Sequence, residues 1–417
     1  MKNTILQTTV NCDLCINCGI CKFVCPDNAI VMKRNKYGEL NPYIEKSKCL
    51  VCGICTFFCP NTTEKLQQEA QKVSSIASPH TYGLQNASYY LAWMRNKENR
   101  QKSCSGGAVT QLAAHLLNIG QIDGLIHVER QWGHRGDFHY RARLSCTLED
   151  ICGNTSSAYQ PIDFSEILPH LSDNRTYMVC GTPCVIRGLK SLFRDHKNFS
   201  GIKIITCALV CSHNTNSHII DYLTEINNVC DEEKWQINIR HKDNSIIDAN
   251  NYLNHIYTQN KVLLCKNRFE SGWTEIWRSY YFSMNACLYC SDFWGYEADI
   301  SVKDAWGKWA EDPLGKSIVI IRNKELDFYF RNSGLEVEPL SYEVMEKHQK
   351  PTAVFKQTEA FNKNFKSLFC RRNRKNGLLR YKIISKVSKF LYRNTGYKTT
   401  RFCMKLIDKI LKRVTKL

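Results

Sequence analysis

The chain has 417 residues, 43% of them hydrophobic and 11% aromatic, which excludes a disordered chain and allows two or three domains. Its net charge is +18, but 18 Lys or Arg against the single acid Asp408 fall between Phe361 and Leu417, so the basic pI belongs to a tail and not to the body. The opening residues, MKNTILQTTV, hold no apolar run of signal-peptide length, and no uncharged stretch approaches the ~18 residues of a spanning helix, so a cytoplasmic protein is expected.

There are 22 cysteines, a large number for a reducing compartment, where they argue for metal ligation and against disulfides. In chain order the first element is a cysteine ladder written twice. "CINCGICKFVCP" sets Cys15, Cys18, Cys21 and Cys25 before Pro26, and "CLVCGICTFFCP" sets Cys49, Cys52, Cys55 and Cys59 before Pro60. The spacing C-x2-C-x2-C-x3-C-P is that of bacterial two-cluster ferredoxins, in which three close thiolates wrap one face of a cubane and the fourth reaches the other cluster. Cys15, Cys18, Cys21 and Cys59 are thus expected to hold one [4Fe–4S] cluster, and Cys49, Cys52, Cys55 and Cys25 the other, about a pseudo-twofold axis. Structural zinc also uses four cysteines, but rarely with this triple spacing repeated before a proline. Cys12 is left over and reads as a spare buried thiol. This unit takes residues 1–65; residues 66–100 read as a polar linker, helical in parts, that packs on the body, with "SPHTYG" as a turn.

A body of two parts follows, 101–172 and 173–345. In "SCSGGAVTQLAAHLLNIGQIDGLIHV" the residues Val109, Leu112, Ala113, Leu116 and Leu117 recur at helical spacing, with Ser105 as N-cap, Gly120 as stop and "GLIHV" as a strand. Ser105, Gly106 and Gly107 suit either a phosphate site at a helix start or a simple close-packed turn. "YMVCGTPCVIRGLKSLF" reads as strand, turn and helix, with Thr182 as N-cap and Pro183 at the first helical position. Cys184 then sits at a helix N-terminus, as a nucleophile, a ligand or a small core residue. Cys287 and Cys290 form a C-x2-C pair, and Cys184 with Cys207 would complete a four-thiolate site; the alternative is a set of buried small hydrophobes. No G-x-G-x-x-G follows a strand, so a Rossmann nicotinamide site is not supported. Arg240, Lys266 and Arg268 suit either contact with an acidic substrate or, as the favoured reading, solvation at the surface.

The ladder followed in order by "SGGAVTQL", "IDGLIHV", "SAYQ", "CGTPCVIRGLK", "CLYC" and "ADISVKDAWG" resembles the coenzyme F420 hydrogenase/dehydrogenase beta-subunit family over about residues 1–325. The resemblance implies an α+β protein: a two-cluster ferredoxin domain, a mixed α/β flavin-binding body and a basic helical tail. It implies an oxidoreductase carrying FAD and a third [4Fe–4S] cluster. Ser105, Gly106, Gly107, Tyr159, Gly181 and Thr182 then fall on cofactor-binding motifs, and Cys184, Cys207, Cys287 and Cys290 on the third cluster. Such a protein relays electrons between its clusters and FAD and on to a small two-electron carrier or metabolite, either similar to coenzyme F420 or from a polysaccharide pathway. The alternative is an electron-transfer subunit without a substrate of its own. Where the family usually has Gly before the Asp of the last motif, this chain has Lys303 ahead of Asp304. The catalytic residues are not identified.

The tail, 361–417, reads as amphipathic helices. In the last, Phe402, Leu406, Ile410 and Val414 fall four apart with Lys and Arg opposite. This suits either an anionic membrane surface, reached through 376–417 from the cytoplasmic side, or docking on the protein's own body. The expected partner is a redox protein or small electron carrier, and no nucleic acid is expected.

Overall fold

The computed structural model of the chain describes residues 4–357 apart from 154, 156, 279 and 281, so the tail and its amphipathic helices lie outside the described residues. The strands in chain order are β1 (Ile30–Arg34), β2 (Leu40–Ile44), β3 (Ser88–Met94), β4 (Gly124–Arg130), β5 (Tyr140–Ser145), β6 (Thr176–Gly181) and β7 (Lys203–Leu209). They continue with β8 (Gln236–His241), β9 (Leu253–Tyr257), β10 (Val262–Asn267), β11 (Ile300–Asp304), β12 (Ser317–Ile321) and β13 (Leu335–Pro339). β1 and β2 form the antiparallel hairpin of the N-terminal unit. An eight-stranded mixed sheet, order β13-β3-β12-β11-β7-β6-β4-β5, forms the body, and β8, β9 and β10 make a small antiparallel sheet beside it. The four central strands β11, β7, β6 and β4 are parallel, so their carboxyl ends open on one edge. Ligand sites in open α/β sheets gather at that edge.

Strand alternation sorts the core into two layers. Met178 on β6, Cys207 on β7 and Val319 on β12 pack under the helices Ala108–Asn118 and Lys324–Arg331. Tyr177, Val179 and Ala208 face the other way, toward the helix Pro183–Asp195. Helical spacing from Leu112 to Leu116 holds, but the cap differs from expectation. Gly107, in the left-handed region at φ 80°, opens the helix, and the Ser105 hydroxyl instead donates to the Lys316 carbonyl at 2.7 Å. The stretch expected as a linker contains the helix Thr63–Ser74 and all of β3, which sits inside the main sheet between β13 and β12. A polar composition hid a strand whose sequence, "SYYLAWM", is apolar on both faces because both are buried.

The N-terminal unit is seated on the body through the helix Pro183–Asp195. Ile20, Val24 and Phe58 join the same core layer as Val185, Ile186 and Leu189. A Cβ at Gly188 would lie 2.8 Å from Ile20 Cδ1 and 3.0 Å from Pro60 Cγ, so a glycine is required where the two units touch. The Phe164 amide donates to the Cys18 carbonyl at 3.1 Å, and Arg187 bonds Asn61 at 2.9 Å and pairs with Glu69. Gly188→Leu is expected to lower the thermal midpoint. Overpacking costs about 1–3 kcal/mol and the helix-propensity gain offsets at most about 1 kcal/mol, while the Pro60 ring has little room to yield. An unchanged midpoint would mean that the unit is not seated on this helix.

Candidate functional site

Each ladder folds the same way. Gly19 and Gly53, at φ 75° and 80°, turn the chain into the short helices Ile20–Phe23 and Ile54–Phe58, which carry the third cysteine of each set. Cys15, Cys18 and Cys21 all feel the charge of Cys59, so the fourth ladder member of the second loop faces the first three of the first. Burial pushes the Cys15 thiol up to about 12, and those of Cys18 and Cys21 well above the usual range. Four thiols held this way are costly to ionise unless a cationic guest compensates. Asn17 donates two N–H groups to Cys15 Sγ, at 3.4 and 3.5 Å. In the second set, Cys25, Cys49, Cys52 and Cys55 line one cavity that reaches the surface. Among the described residues no three His, Cys, Asp or Glu side chains converge as ligands of one ion do. Cys12 is exposed, not buried.

A third group of thiols stands in the body. Cys184 at the start of the helix Pro183–Asp195 and Cys211 two residues beyond β7 act on one another. Cys287 acts with both, and Cys290 with Cys184 and Cys211. Burial raises all four thiols, that of Cys290 to about 11. Lys356 Nζ donates to the Cys211 carbonyl at 2.8 Å and feels all four thiols. Cys207 is not in this group. Its side chain lies in the opposite core layer, beside Cys180, its register partner on β6. Of the expected set Cys184, Cys207, Cys287 and Cys290, the structure brings together Cys184, Cys287 and Cys290; Cys207 points through the sheet away from Cys184, and Cys211 stands with the other three instead. A strand buried on both faces gives no sequence sign of which face a cysteine takes.

The three thiol groups are adjacent in order. Cys55 of the second set acts on Cys21 of the first, and Cys184 of the body acts on Cys18.

At the ends of β11 and β8 lies a small cleft, lined by Ser105, Arg240, Lys242, Tyr252, Asp304 and Trp306 among others. Arg240 is no surface cation. It is buried, pairs with Asp304 at 2.7 Å, donates to the Cys104 carbonyl at 3.2 Å and lies over the Tyr252 and Trp306 rings at 4.3 and 5.1 Å. Burial acts upward on Asp304, but the Arg240 guanidinium outweighs it and holds the carboxyl below its usual range. Lys242, lowered to about 7 by burial, donates to the carbonyls of Arg100, Ser105 and Leu314. Among the six residues expected to touch a flavin, Ser105 lines the cleft, and Tyr159 stands behind it, within reach of the Arg240 charge. Gly106 and Gly107 do not line it: a Cβ on Gly106 would lie 2.5 Å from the Ala92 carbonyl of β3, and one on Gly107 2.6 Å from Met94 Sδ. Their smallness serves strand packing. Gly181 and Thr182 stand with the body thiols, Thr182 Oγ1 being 3.4 Å from Cys184 Sγ. Lys303, where the family pattern has glycine, bonds His348 Nε2 at 2.8 Å.

Comparison with known proteins gives matches along most of the chain. A 4Fe-4S dicluster domain matches residues 14–63. The coenzyme F420 hydrogenase/dehydrogenase beta subunit matches in both its parts, the N-terminal one at 89–169 and the C-terminal one at 174–340. No curated protein matches the chain. Among solved structures, a chain of the F420-reducing [NiFe] hydrogenase complex from Methanosarcina barkeri is 16% identical, with 69% of this chain and 90% of that chain covered and a TM-score of 0.45. With both parts of the beta subunit matched in order behind the dicluster domain, the chain belongs to the coenzyme F420 hydrogenase/dehydrogenase beta-subunit family, as an iron–sulfur oxidoreductase subunit for electron transfer.

Proposed function

We propose that the chain is an iron–sulfur flavoprotein with three [4Fe–4S] sites and one FAD, which passes electrons between a one-electron donor and a small two-electron carrier or metabolite. The observation that carries the reading is the unbroken order of thiol groups: the surface set, the inner ladder set and the body set at the carboxyl edge of the sheet. Clusters bound there supply one-electron transfer, and a flavin is what joins such centres to a two-electron carrier. Cys15, Cys18, Cys21 and Cys59 would hold the inner cluster, Cys25, Cys49, Cys52 and Cys55 the surface one, and Cys184, Cys211, Cys287 and Cys290 the body one. Arg240, paired with Asp304 and stacked on Tyr252 and Trp306, is the fixed cation that the cleft offers to an anionic cofactor or substrate. The cleft supports the flavin reading through Ser105 and Tyr159 alone.

The test is iron and extracted flavin per chain on protein purified without oxygen. About twelve irons and one FAD, the content of three cubanes and one flavin, supports the reading. About eight irons, the content of two cubanes, with no flavin sinks it in favour of an electron-transfer subunit that feeds another enzyme.

The tail is proposed to hold the protein at an anionic membrane face; among the described residues no helix is long and apolar enough to cross a membrane. Deletion of 376–417 is expected to abolish co-sedimentation with anionic vesicles at low salt and to leave the visible spectrum unchanged. Equal sedimentation of both forms would count against the membrane.

A further inference from the structure

The two ladders are copies offset by 34 residues, and the copies meet different surroundings. In the first, Ile16, Ile20 and Phe23 lie against the body: all three pack in the core layer of the helix Pro183–Asp195, and Phe23 stacks on Phe199 at 5.3 Å. Their counterparts in the second are Leu50, Ile54 and Phe57, and all three are exposed, Leu50 at 71% and Phe57 at 60%. With Val51 and Tyr43 they are five of the fourteen large exposed hydrophobics among the described residues, whereas the other nine are spread over the rest of the chain. Leu50 and Val51 of this group line the cavity formed by Cys25, Cys49, Cys52 and Cys55.

Backbone strain marks the same spot. Asn17 and Val51 are counterparts, and both have positive φ, 64° and 53°. Asparagine tolerates that region, whereas a β-branched residue there is an outlier. Strain of this kind costs about 1–3 kcal/mol and collects where a surface is used. Here it sets an apolar side chain in solvent beside the cavity.

We propose that the face formed by Leu50, Val51, Ile54 and Phe57 is the docking surface for a small acidic one-electron carrier protein. The first copy shows what such a face does: its apolar triplet seats the inner thiol set against the protein that bears the next set, at Cys184. The second copy presents the same triplet to an external partner. The edges favour an acidic one. Lys33 lies over the Tyr43 ring at 4.1 Å, and Lys65 donates to the Phe57 carbonyl at 2.6 Å. Lys46 and Lys48 precede the loop; the acids near it include Asp27 on the cavity wall, Glu45, ion-paired with Lys48 at 2.6 Å, and Glu64 and Asp195 beside Lys65. A small apolar patch with a charged rim suits a transient redox encounter. On docking, one electron leaves the carrier's iron–sulfur centre and one enters the centre held by Cys25, Cys49, Cys52 and Cys55; no bond changes and no proton moves. The inference rests on the iron–sulfur reading of that site.

The probe is an acidic 2[4Fe–4S] ferredoxin, used with the full chain purified without oxygen. Two quantities are read: the affinity for the oxidised ferredoxin at low salt, and the second-order rate of bleaching by the reduced form. Leu50→Ser with Phe57→Ser is expected to lower both at least tenfold. Val51→Asn, which copies the first ladder, is expected to lower both while raising or keeping the thermal midpoint. Iron content and bleaching by reduced methyl viologen are expected to match the parent. Unchanged affinity and rate in both variants overturn the proposal, and so does a parent protein that the ferredoxin neither binds nor reduces. Loss of self-association in the variants would give the face to a second copy of this chain, and loss of vesicle binding would give it to a membrane; either overturns the proposal. A parent without iron, or one that viologen cannot bleach, would instead sink the iron–sulfur reading itself.

Discussion

Cys211→Ser is expected to remove about four irons per chain, the content of one cubane, and Cys207→Ser to remove none. The two cysteines are four residues apart on the same stretch, and the sheet separates them. Cys207 lies within β7 beside Cys180, in the layer beneath the helix Ala108–Asn118. Cys211 follows the strand on the side of Cys184, and Cys287 and Cys290 are brought to it by the segment after the helix Trp273–Arg278. A serine hydroxyl is a poor substitute for a thiolate on iron, so removal of one ligand from a buried set should empty the site. Cys207→Ser replaces a buried thiol with a hydroxyl, at a cost of about 1–3 kcal/mol for a polar group in an apolar layer. It should lower the thermal midpoint and leave iron intact. Iron analysis and low-temperature EPR of the reduced protein separate the two outcomes. A Cys207→Ser protein short of four irons, or a full complement in Cys211→Ser, would refute the assignment.

That pair also shows where sequence reading stops. The ladder is legible because its spacing fixes local geometry: three thiolates within seven residues can only wrap one guest, and the proline turns the fourth away. The helix 108–118 and the strand–turn–helix from 176 to 195 are legible because period and caps are local signals. The face a cysteine takes on a strand buried on both sides is not local. It depends on which layer the next helix covers. β3 was missed for the same reason, because its apolar run lacks alternation. Gly106 and Gly107 mark a second limit. A small residue signals close approach without saying what approaches, and here it is β3. Arg240 marks a third, since its pairing with Asp304 and its stacking on Tyr252 and Trp306 join segments far apart in sequence.

Lys356→Met is expected to lower the reduction potential of one cluster out of three, and Lys356→Arg to restore most of it. Lys356 lies on the helix Lys350–Gln357, beyond the residues that match the family. It is buried, and its ammonium reaches the Cys211 carbonyl at 2.8 Å. Burial alone would lower its pKa, but Cys290, Cys211, Cys287 and Cys184 together carry it above the ordinary lysine range. Its ammonium group therefore stands against the body thiols. A cluster gains negative charge on reduction, so a fixed cation beside it favours the reduced form. At an effective dielectric near 20, a unit charge a few ångströms away interacts by roughly 3 kcal/mol, which for one electron is on the order of 100 mV before solvent screening. Low potential in the methionine variant would make the body site harder to fill with electrons from the ladder sites, whose potentials should not move. An EPR-monitored redox titration resolves the centres one by one. If all midpoints stay in place while the thermal midpoint falls, Lys356 only anchors its helix to the Cys211 carbonyl. If iron falls to the content of two cubanes, the cation is needed to hold four thiolates together, and Lys356→Arg should bring the iron back.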